Sequence, residues 1–454
     1  MRIVVSGASG FIGRAIVGAL QARGDQVTAL TRSPQAARFD EGVQIARFDP
    51  MGAPDSAPFD GADAVVHLAG ETVAGRWTEK KKRAIYDSRV VGTRTVVDSI
   101  AASRAKPRIL IAASASGYYG DRKDEPLLET SPPGSDFLAK VCVDWERETQ
   151  RARSIGLRTA CLRQGIVLGP GGGALSEMLP PFRFFGGGPY GNGSQWMPWI
   201  HLDDDVALFL YALDNNLEGA FNAVSPDVAT SARLAHAIGY ALRRPALAYA
   251  PGIALYTVLG EFASTLLASQ LALPDRVLSA GFRFKHELLE HALLDILARG
   301  SQREPDLQRF EDERVVRAPL ETIFAFFSDP GNLAQLTPPE VDFKMNAKTP
   351  GDLRRGSVME YSLKVHGIRM KWESLITDWQ AGVRFVDHQV RGPYELWRHE
   401  HRFAADPGGT RVRDLVAYSL PLAPLSGLAL PLVRADLRTI FAYRRAAVAR
   451  LLER

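Results

Sequence analysis

The chain has 454 residues, of which 46% are hydrophobic and 23% charged, a composition typical of a globular protein with two or three domains. Its 55 lysines and arginines nearly balance its 51 aspartates and glutamates, so the net charge of +4 does not indicate a nucleic-acid partner. Two cysteines, Cys142 and Cys161, form no CxxC pair and suit a reducing compartment. We expect a cytoplasmic protein, because the chain begins with a strand and not with a secretory leader.

Short β-branched runs alternate with longer helical patterns up to residue 170. The predicted strands are RIVVSGA, QVTALTR, VQIARF, DAVVHLAG, RILIAASAS and RTACLRQGIVLG. This alternation predicts βαβ units and an α/β fold with a doubly wound, parallel Rossmann-type sheet. Residues 170–298 begin with loops rich in glycine, proline and aromatic residues and continue as helical segments. They predict a smaller subdomain on the substrate side, at the carboxyl ends of the strands.

The stretch GASGFIG, residues 7–13, lies between a predicted strand and a predicted helix. In such a turn Gly7 permits the bend, Gly10 lets the backbone approach a pyrophosphate, and Gly13 lets helix and strand pack closely. The phosphates then meet free N–H groups at the start of the helix. The motif therefore predicts a dinucleotide site, with these candidate cofactor residues: Gly7, Ser9, Gly10, Phe11, Ile12 and Gly13.

An arginine follows the second predicted strand, in Leu30-Thr31-Arg32-Ser33. An NAD enzyme usually presents an acidic residue at this point to the ribose hydroxyls. A guanidinium can instead pair with a 2′-phosphate, so Thr31 and Arg32 predict NADP (NADPH) as the cofactor. The alternative is that Arg32 is a solvated surface residue.

Several motifs resemble the extended type of the short-chain dehydrogenase/reductase superfamily, and more closely its atypical, epimerase-like branch, often labelled nucleoside-diphosphate-sugar epimerase. They are GASGFIG, HLAGE (67–71), SASGYYG (114–120), LRQGIVLGPGGG (162–173), WIHLDD (199–204) and LPDRVLSAGFRF (273–284). The resemblance implies that Leu68, Ala69 and Gly70 line the cofactor site. It also implies that Arg89 and Val167 contact the cofactor, although Arg89 on a helix is equally consistent with a solvated charge.

Extended members of the superfamily use a serine, a tyrosine and a lysine four residues after the tyrosine for proton transfer. Here Phe137 stands where the tyrosine is expected, and Lys140 is one position early. We hypothesise that Glu71 and one of Tyr118 and Tyr119 replace the missing tyrosine, with Ser116 or Ser114 bonding a substrate oxygen. The alternatives to catalytic roles are structural ones. A serine can bond its own backbone, Glu71 can cap the following helix, and His201 in WIHLDD can be a structural histidine.

Residues 299–307 are polar and predict a linker between the first domain, residues 1–298, and a second domain, residues 308–454. The second domain shows a strand at 310–316, a helical pair at 319–327 and 329–336, five alternating strands, and a closing helix from about 428. This α+β pattern resembles the helix-grip, START-like superfamily of polyketide cyclases and lipid-transfer proteins. The resemblance implies a pocket for an apolar ligand, whose predicted lining residues could equally be ordinary core: Phe343, Met359, Tyr361, Met370, Trp372, Phe385 and Trp397.

The histidines of the second domain predict no metal site, because His366, His388, His399 and His401 are scattered over alternating strands. Ile253 to Leu271 is interrupted by Glu261, so we expect a buried or homodimer-forming helix pair and no membrane span. The leading interpretation is an atypical NADP-dependent oxidoreductase or epimerase acting on a small molecule, fused to a domain that binds an apolar ligand. The alternative is a non-catalytic NADP(H)-binding sensor or carrier.

Overall fold

A computed structural model describes residues 1–298, 307–421 and 428–453. The chain divides into two compact units, Met1–Arg303 and Glu304–Arg454. Of the predicted linker 299–307, residues 299–306 lie outside the described residues.

The first unit is built on a parallel sheet of seven strands in the order β10-β7-β5-β4-β1-β2-β3. This order confirms the predicted doubly wound fold, since the strand sequence reverses next to β1. The strands of the unit are β1 (Arg2–Ser6), β2 (Gln26–Thr31), β3 (Gln44–Arg47), β4 (Ala64–His67), β5 (Ile109–Ala115), β6 (Pro126–Leu127), β7 (Arg158–Gln164), β8 (Ile166–Leu168), β9 (Trp199–His201), β10 (Gly219–Ala223) and β11 (Leu271–Ala272).

Helices cover the sheet of the first unit and bury its apolar strands. They are α1 (Phe11–Ala22), α2 (Glu79–Ala101), α3 (Phe137–Gln150), α4 (Gly173–Arg183), α5 (Leu202–Asp214), α6 (Ser231–Leu242), α7 (Gly252–Leu259), α8 (Ala263–Leu267), α9 (Asp275–Ser279) and α10 (Leu289–Leu297). Ile16 and Leu20 of α1 are fully buried in the same cluster as Val5 of β1. Each such side chain contributes about 1.5–3 kcal/mol through burial, which fixes α1 against the sheet.

The segment from residue 170 packs in two ways. Helix α5 and strand β10 return to the main sheet and its core, whereas α4, α6 and α10 enclose a second core around Trp199. The predicted helix pair at 253–271 consists of α7 and α8 with a 3₁₀ turn between them. Helix α7 has no buried residue, so of the two predicted alternatives, a buried or a homodimer-forming pair, the first is wrong for that helix.

The second unit is an antiparallel sheet of seven strands in the order β12-β18-β17-β16-β15-β14-β13. Its elements are β12 (Gln308–Val316), α11 (Leu320–Phe327), β13 (Lys344–Lys348), β14 (Val358–Val365), β15 (Ile368–Gln380), β16 (Arg384–Arg391), β17 (Leu396–Asp406), β18 (Gly409–Ser419) and α12 (Leu430–Leu452). Leu437 and Phe441 of α12 pack on Val416 and Tyr418 of β18. The architecture confirms the predicted α+β, helix-grip arrangement.

One predicted helix of the second unit is wrong. The segment 329–336 forms a short 3₁₀ turn at Pro330–Asn332. The side chain of Asp329 accepts a hydrogen bond from the N–H of Gly331 at 2.8 Å, a local bond that favours a turn over helix propagation. Among the described residues of both units, none of the helices combines the length and apolarity needed to cross a membrane.

Candidate functional site

The loop between β1 and α1 depends on the absence of side chains at two glycines. Gly7 has a φ of +70°, and a Cβ on it would lie 2.8 Å from the main chain of Leu68 and Ala69. A Cβ on Gly13 would lie 2.2 Å from the carbonyl oxygen of Gly7. The loop therefore lies directly between the end of β4 and the first turn of α1. Because the first amides of a helix have no carbonyl partner within it, this turn can bind an anion.

A cleft of about 470 Å³ opens at the carboxyl ends of β1, β2 and β4. This is the edge at which open parallel sheets bind their ligands. Eight of the predicted cofactor residues line the cleft: Gly7, Ser9, Gly10, Thr31, Arg32, Leu68, Ala69 and Gly70. The missing side chains at the loop provide the close backbone approach that a dinucleotide requires, so the described residues fit this class of cofactor.

The other predicted cofactor residues support the cleft from outside its lining. Ile12 and Val167 pack in the core of the first unit, and a Cβ on Gly172 would lie 2.5 Å from the ring of Phe11. Nη1 of Arg89 donates a hydrogen bond to the carbonyl of Glu71 at 2.8 Å, and the guanidinium lies 5.2 Å from the ring centroid of Trp145. Burial lowers the pKa of Arg89. Arg89 therefore holds the main chain that follows Gly70, and it is not the solvated charge considered as the alternative.

The charged side chains in the cleft are mainly cationic. Arg14 and Arg32 both line it, and Glu71 is the acidic residue among its described lining residues. The Glu71 carboxylate already pairs with Lys81, with 2.7 Å between Oε1 and Nζ. Arg14 was not predicted as a site residue, although its position in the first turn after the glycine loop could have indicated it. Nε of Arg14 donates to the carbonyl of Ser9 at 3.1 Å and so braces the loop.

Tyr119 is fully buried, which corrects its prediction as a catalytic residue. Its hydroxyl donates to Oδ1 of Asn222 at 2.6 Å and accepts from Nη1 of Arg163 at 3.0 Å. Burial raises the pKa of the Tyr119 phenol to about 12. With its hydroxyl held inside the protein and its proton tightly bound, Tyr119 stabilises the fold and is not placed to exchange a proton with a substrate.

The remaining catalytic candidates are only partly brought together. Glu71 lines the cleft, whereas Ser116 and Tyr118 are not among its lining residues. The ring centroid of Tyr118 lies 3.4 Å from the guanidinium carbon of Arg163, so its face is covered by a cation. The hydroxyl of Ser114 donates to Oε1 of Glu146 at 2.7 Å. The structure therefore places one of the four predicted catalytic residues in the cleft.

The start of α3 departs from the dehydrogenase pattern in space as it does in sequence. Phe137 packs on Trp77, with 5.3 Å between ring centroids, and Val141, four residues later, is 1% exposed. Apolar packing thus replaces the tyrosine and lysine. His201 is also structural: its Nδ1 accepts from the N–H of Asp203 at 3.0 Å and caps α5.

A second cavity, of about 560 Å³, lies within the second unit. All seven residues predicted to line an apolar pocket do line it: Phe343, Met359, Tyr361, Met370, Trp372, Phe385 and Trp397. Four of these, Met359, Tyr361, Trp372 and Phe385, also belong to the buried hydrophobic core of the unit, and Phe343 and Trp397 pack against it. The walls of the cavity and the core therefore share side chains. The cavity also has polar lining residues that include Asp387, His399, His401 and Arg444.

The sheet, the glycine loop and the cleft define the first unit as a Rossmann-type dinucleotide-binding protein. Residues 3–223 match the model of the NAD dependent epimerase/dehydratase family, and residues 250–296 match a domain of unknown function, DUF1731. Residues 316–442 match the polyketide cyclase / dehydrase and lipid transport family. The chain belongs to the NAD dependent epimerase/dehydratase family, and its second unit is a START-like domain.

Each of the following relatives covers about two thirds of this chain. The chain is 38% identical over 306 residues to an epimerase family protein SDR39U1 homolog, chloroplastic, of Arabidopsis thaliana, which covers 65% of this chain and 87% of that protein. It is 34% identical over 300 residues to epimerase family protein YfhF of Bacillus subtilis, with 66% and 98% covered. The crystal structure of human epimerase family protein SDR39U1 with NADPH is similar with a TM-score of 0.60 and 33% identity, covering 66% of this chain and 99% of that one.

Proposed function

We propose that the first unit binds NADPH in the cleft and is an atypical oxidoreductase or epimerase acting on a small molecule. The observation that carries this proposal is the cleft itself, where the glycine loop, the start of α1 and the cations Arg14 and Arg32 surround one space. Two guanidiniums beside a helix N-terminus favour a cofactor with an additional phosphate. The structure of human SDR39U1 with NADPH supports the same cofactor.

When bound, the nicotinamide of such a cofactor supplies or accepts a hydride, and the protein supplies position and proton transfer. Glu71 is the titratable candidate that lines the cleft, and Lys81 keeps its carboxylate paired. We propose that Glu71 takes the proton-transfer role, with Tyr118 or Ser116 contacting the substrate after a local rearrangement. This assignment requires the Glu71–Lys81 pair to open when substrate binds.

A non-catalytic NADP(H) sensor or carrier is the second candidate. It is favoured by the packed Phe137 and Val141 at the start of α3 and by the buried hydroxyl of Tyr119, because these remove the usual proton donor. For the second unit we propose binding of an apolar small molecule, supported by the aromatic cavity of about 560 Å³.

Ligand release from the full-length protein tests these proposals. We would purify the chain gently, denature it and identify the released small molecules by mass spectrometry. NADP or NADPH together with an apolar compound is the expected result. That compound is then added to the protein with NADPH, and the loss of NADPH absorbance is followed. Turnover that falls strongly in Glu71→Gln supports an enzyme. Tight NADPH binding without turnover of any released compound supports the sensor.

We also propose a cytoplasmic location and a homodimer. A reducing cytoplasm is supported by Cys142 and Cys161, which are both free and buried. A homodimer is supported by the exposed apolar side chains of α7, where Ile253 is 84% and Val258 68% exposed. Light scattering of the purified protein should give twice the mass of one chain, which is 49.7 kDa. In Ile253→Glu the measured mass should fall to that of a single chain.

A further inference from the structure

Two groups of histidines and carboxylates lie close enough to hold a metal ion among the described residues. The group in the first unit consists of His201, His286 and Asp295 and is unsuited to binding a metal ion. Nδ1 of His201 accepts a hydrogen bond from the N–H of Asp203, so the proton of a neutral ring is on Nε2. Nε2 is the atom 3.5 Å from Asp295 that would have to bind the ion. A nitrogen that carries a proton has no lone pair for a metal.

The group in the second unit is assembled across three neighbouring strands. His399 and His401 are two residues apart on β17, so their side chains lie on the same face of the sheet. Asp387 of β16 is the register partner of His399, and Asp414 of β18 is the register partner of His401. All four residues are buried or nearly so, and three of them, Asp387, His399 and His401, line the cavity.

The hydrogen bonds of His399 leave a lone pair facing a carboxylate. Its Nε2 lies 3.0 Å from Oδ1 of Asp414, within hydrogen-bond distance of that carboxylate. An ionised carboxylate can only accept, so Nε2 carries the proton of His399. In the neutral ring, Nδ1 then presents its lone pair at 3.5 Å from Oδ2 of Asp387, a contact that a cation between the two atoms would make favourable.

Both distances from Asp387 to the two histidines match those between neighbouring ligand atoms of a tetrahedral ion, and all three ligand atoms lie within 4.8 Å of one another. Oδ2 of Asp387 lies 3.5 Å from Nδ1 of His399 and 3.4 Å from Nε2 of His401. Zinc binds nitrogen and oxygen at roughly 2.0–2.1 Å, which puts neighbouring ligand atoms about 3.4 Å apart in a tetrahedron. The outer contacts also suit a metal site, because Asp414 is within 3.0 Å of both rings and Ser374 bonds the second oxygen of Asp387.

We propose that Asp387, His399 and His401 bind one divalent transition-metal ion, of the Zn²⁺ class, in the wall of the START-like cavity. Three protein ligands leave a coordination position open, as in sites where a metal contacts water or an exogenous oxygen. Because the three ligands line the cavity, that position is available to an oxygen atom of a molecule bound there. The proposal does not depend on the activity proposed for the first unit.

A proton is the competing occupant of this site. His401 lies between two carboxylates, with Nδ1 2.7 Å from Asp414 and Nε2 3.4 Å from Asp387, and these raise its pKa. Arg314 and Arg444 approach Asp414 to 3.3 and 4.0 Å and partly neutralise it. A metal ion must therefore displace the proton that His401 shares with these carboxylates.

Zinc binding to the full-length protein tests the proposal. We would remove metals with a chelator, then measure Zn²⁺ by equilibrium dialysis and record the visible spectrum after adding Co²⁺. One Zn²⁺ per chain and the strong visible bands of four-coordinate Co²⁺ are expected. His399→Ala and Asp387→Asn should each weaken binding by about 100-fold, and Asp414→Asn by about 10-fold. His366→Ala is the matched control, because His366 borders the same cavity and pairs with Asp436 outside the cluster.

Two outcomes would overturn the proposal. One is wild-type protein that binds no stoichiometric Zn²⁺ at neutral pH, which would leave a proton as the occupant. The other is binding that His399→Ala leaves intact. If that variant does not fold, X-ray absorption of the wild-type Zn²⁺ complex decides instead: two histidine nitrogens among the ligands support the site, and one or none contradicts it.

Discussion

The two cavities of this protein are similar in volume, about 470 and 560 Å³, but they are built from different parts of the chain. The cleft of the first unit lies at the ends of parallel strands, where Gly7, Gly10 and Gly70 leave main chain without side chains in its lining. The cavity of the second unit is lined by side chains that project from the antiparallel sheet and from α12. A site made by a contiguous loop has a local sequence motif, whereas a site made by projecting side chains draws on residues far apart in sequence.

The strongest test of the main-chain site is Gly13→Ala. Its Cβ would lie 2.2 Å from the carbonyl oxygen of Gly7, so the loop and α1 must separate. We expect a loss of about 3 kcal/mol in the free energy of unfolding and no measurable NADPH binding. Denaturant unfolding and a fluorescence titration measure these. A Gly13→Ala protein that binds NADPH like the parent would show that main-chain contact does not define this site.

The second test concerns His67, whose ring fixes the end of β1 beside the cleft. Nδ1 of His67 lies 2.5 Å from Oγ of Ser6, a lining residue, and Nε2 lies 2.9 Å from Oγ1 of Thr93. Burial lowers the pKa of His67 from 6.5 to about 4.

Between these values the unfolded chain binds more protons at His67 than the folded one, so stability falls as pH falls from 6.5 toward 4. At pH 5 the loss should be about 2 kcal/mol relative to neutral pH. Urea unfolding at several pH values measures it. His67→Gln, which can still hydrogen-bond but does not titrate, should flatten this dependence, and an unchanged slope would contradict the assignment.

Arg32→Ala tests whether a side chain adds cofactor choice to the main-chain site. Arg32 lines the cleft after β2, and the loss of a charged hydrogen bond should weaken NADPH binding by about 10-fold. NADH binding should change little, because NADH lacks the 2′-phosphate. Arg38→Ala is the control, since its guanidinium bonds nearby main-chain carbonyls and is not among the lining residues. An equal loss of affinity for NADPH and NADH would indicate instead that Arg32 is a solvated surface residue.

The smallest expected effect is that of Gly18→Ala, in the same helix as Gly13. A Cβ on Gly18 would meet no described atom within 4 Å. Replacing a helix-interior glycine at an open position should raise the free energy of unfolding by about 0.5–1 kcal/mol. Unchanged NADPH affinity would confirm that the loss in Gly13→Ala comes from the clash and not from the alanine itself.

Most of the first site could be predicted because its chemistry is local. Gly7, Gly10 and Arg32 each lie within a few residues of a strand end, and a parallel sheet necessarily brings those ends to one edge. Tyr119 could not be distinguished from Tyr118 in this way. Two adjacent tyrosines in a short 3₁₀ turn point to different surroundings, and only the contact of Tyr119 with Asn222, 103 residues later, decides which is buried.

By itself the sequence determined the two fold classes, the glycine loop and the apolar residues that line the second cavity, because periodicity and short motifs are properties of neighbouring residues. Tertiary structure alone decided that Arg89 supports the main chain, that Tyr119 is buried, and that Asp387 joins His399 and His401. The sequence analysis expected no metal site among the histidines. His399 and His401 are two residues apart on β17 and so share a face, but this spacing does not reveal which carboxylates meet them. Strand register makes that choice, and register depends on the packing of the whole sheet.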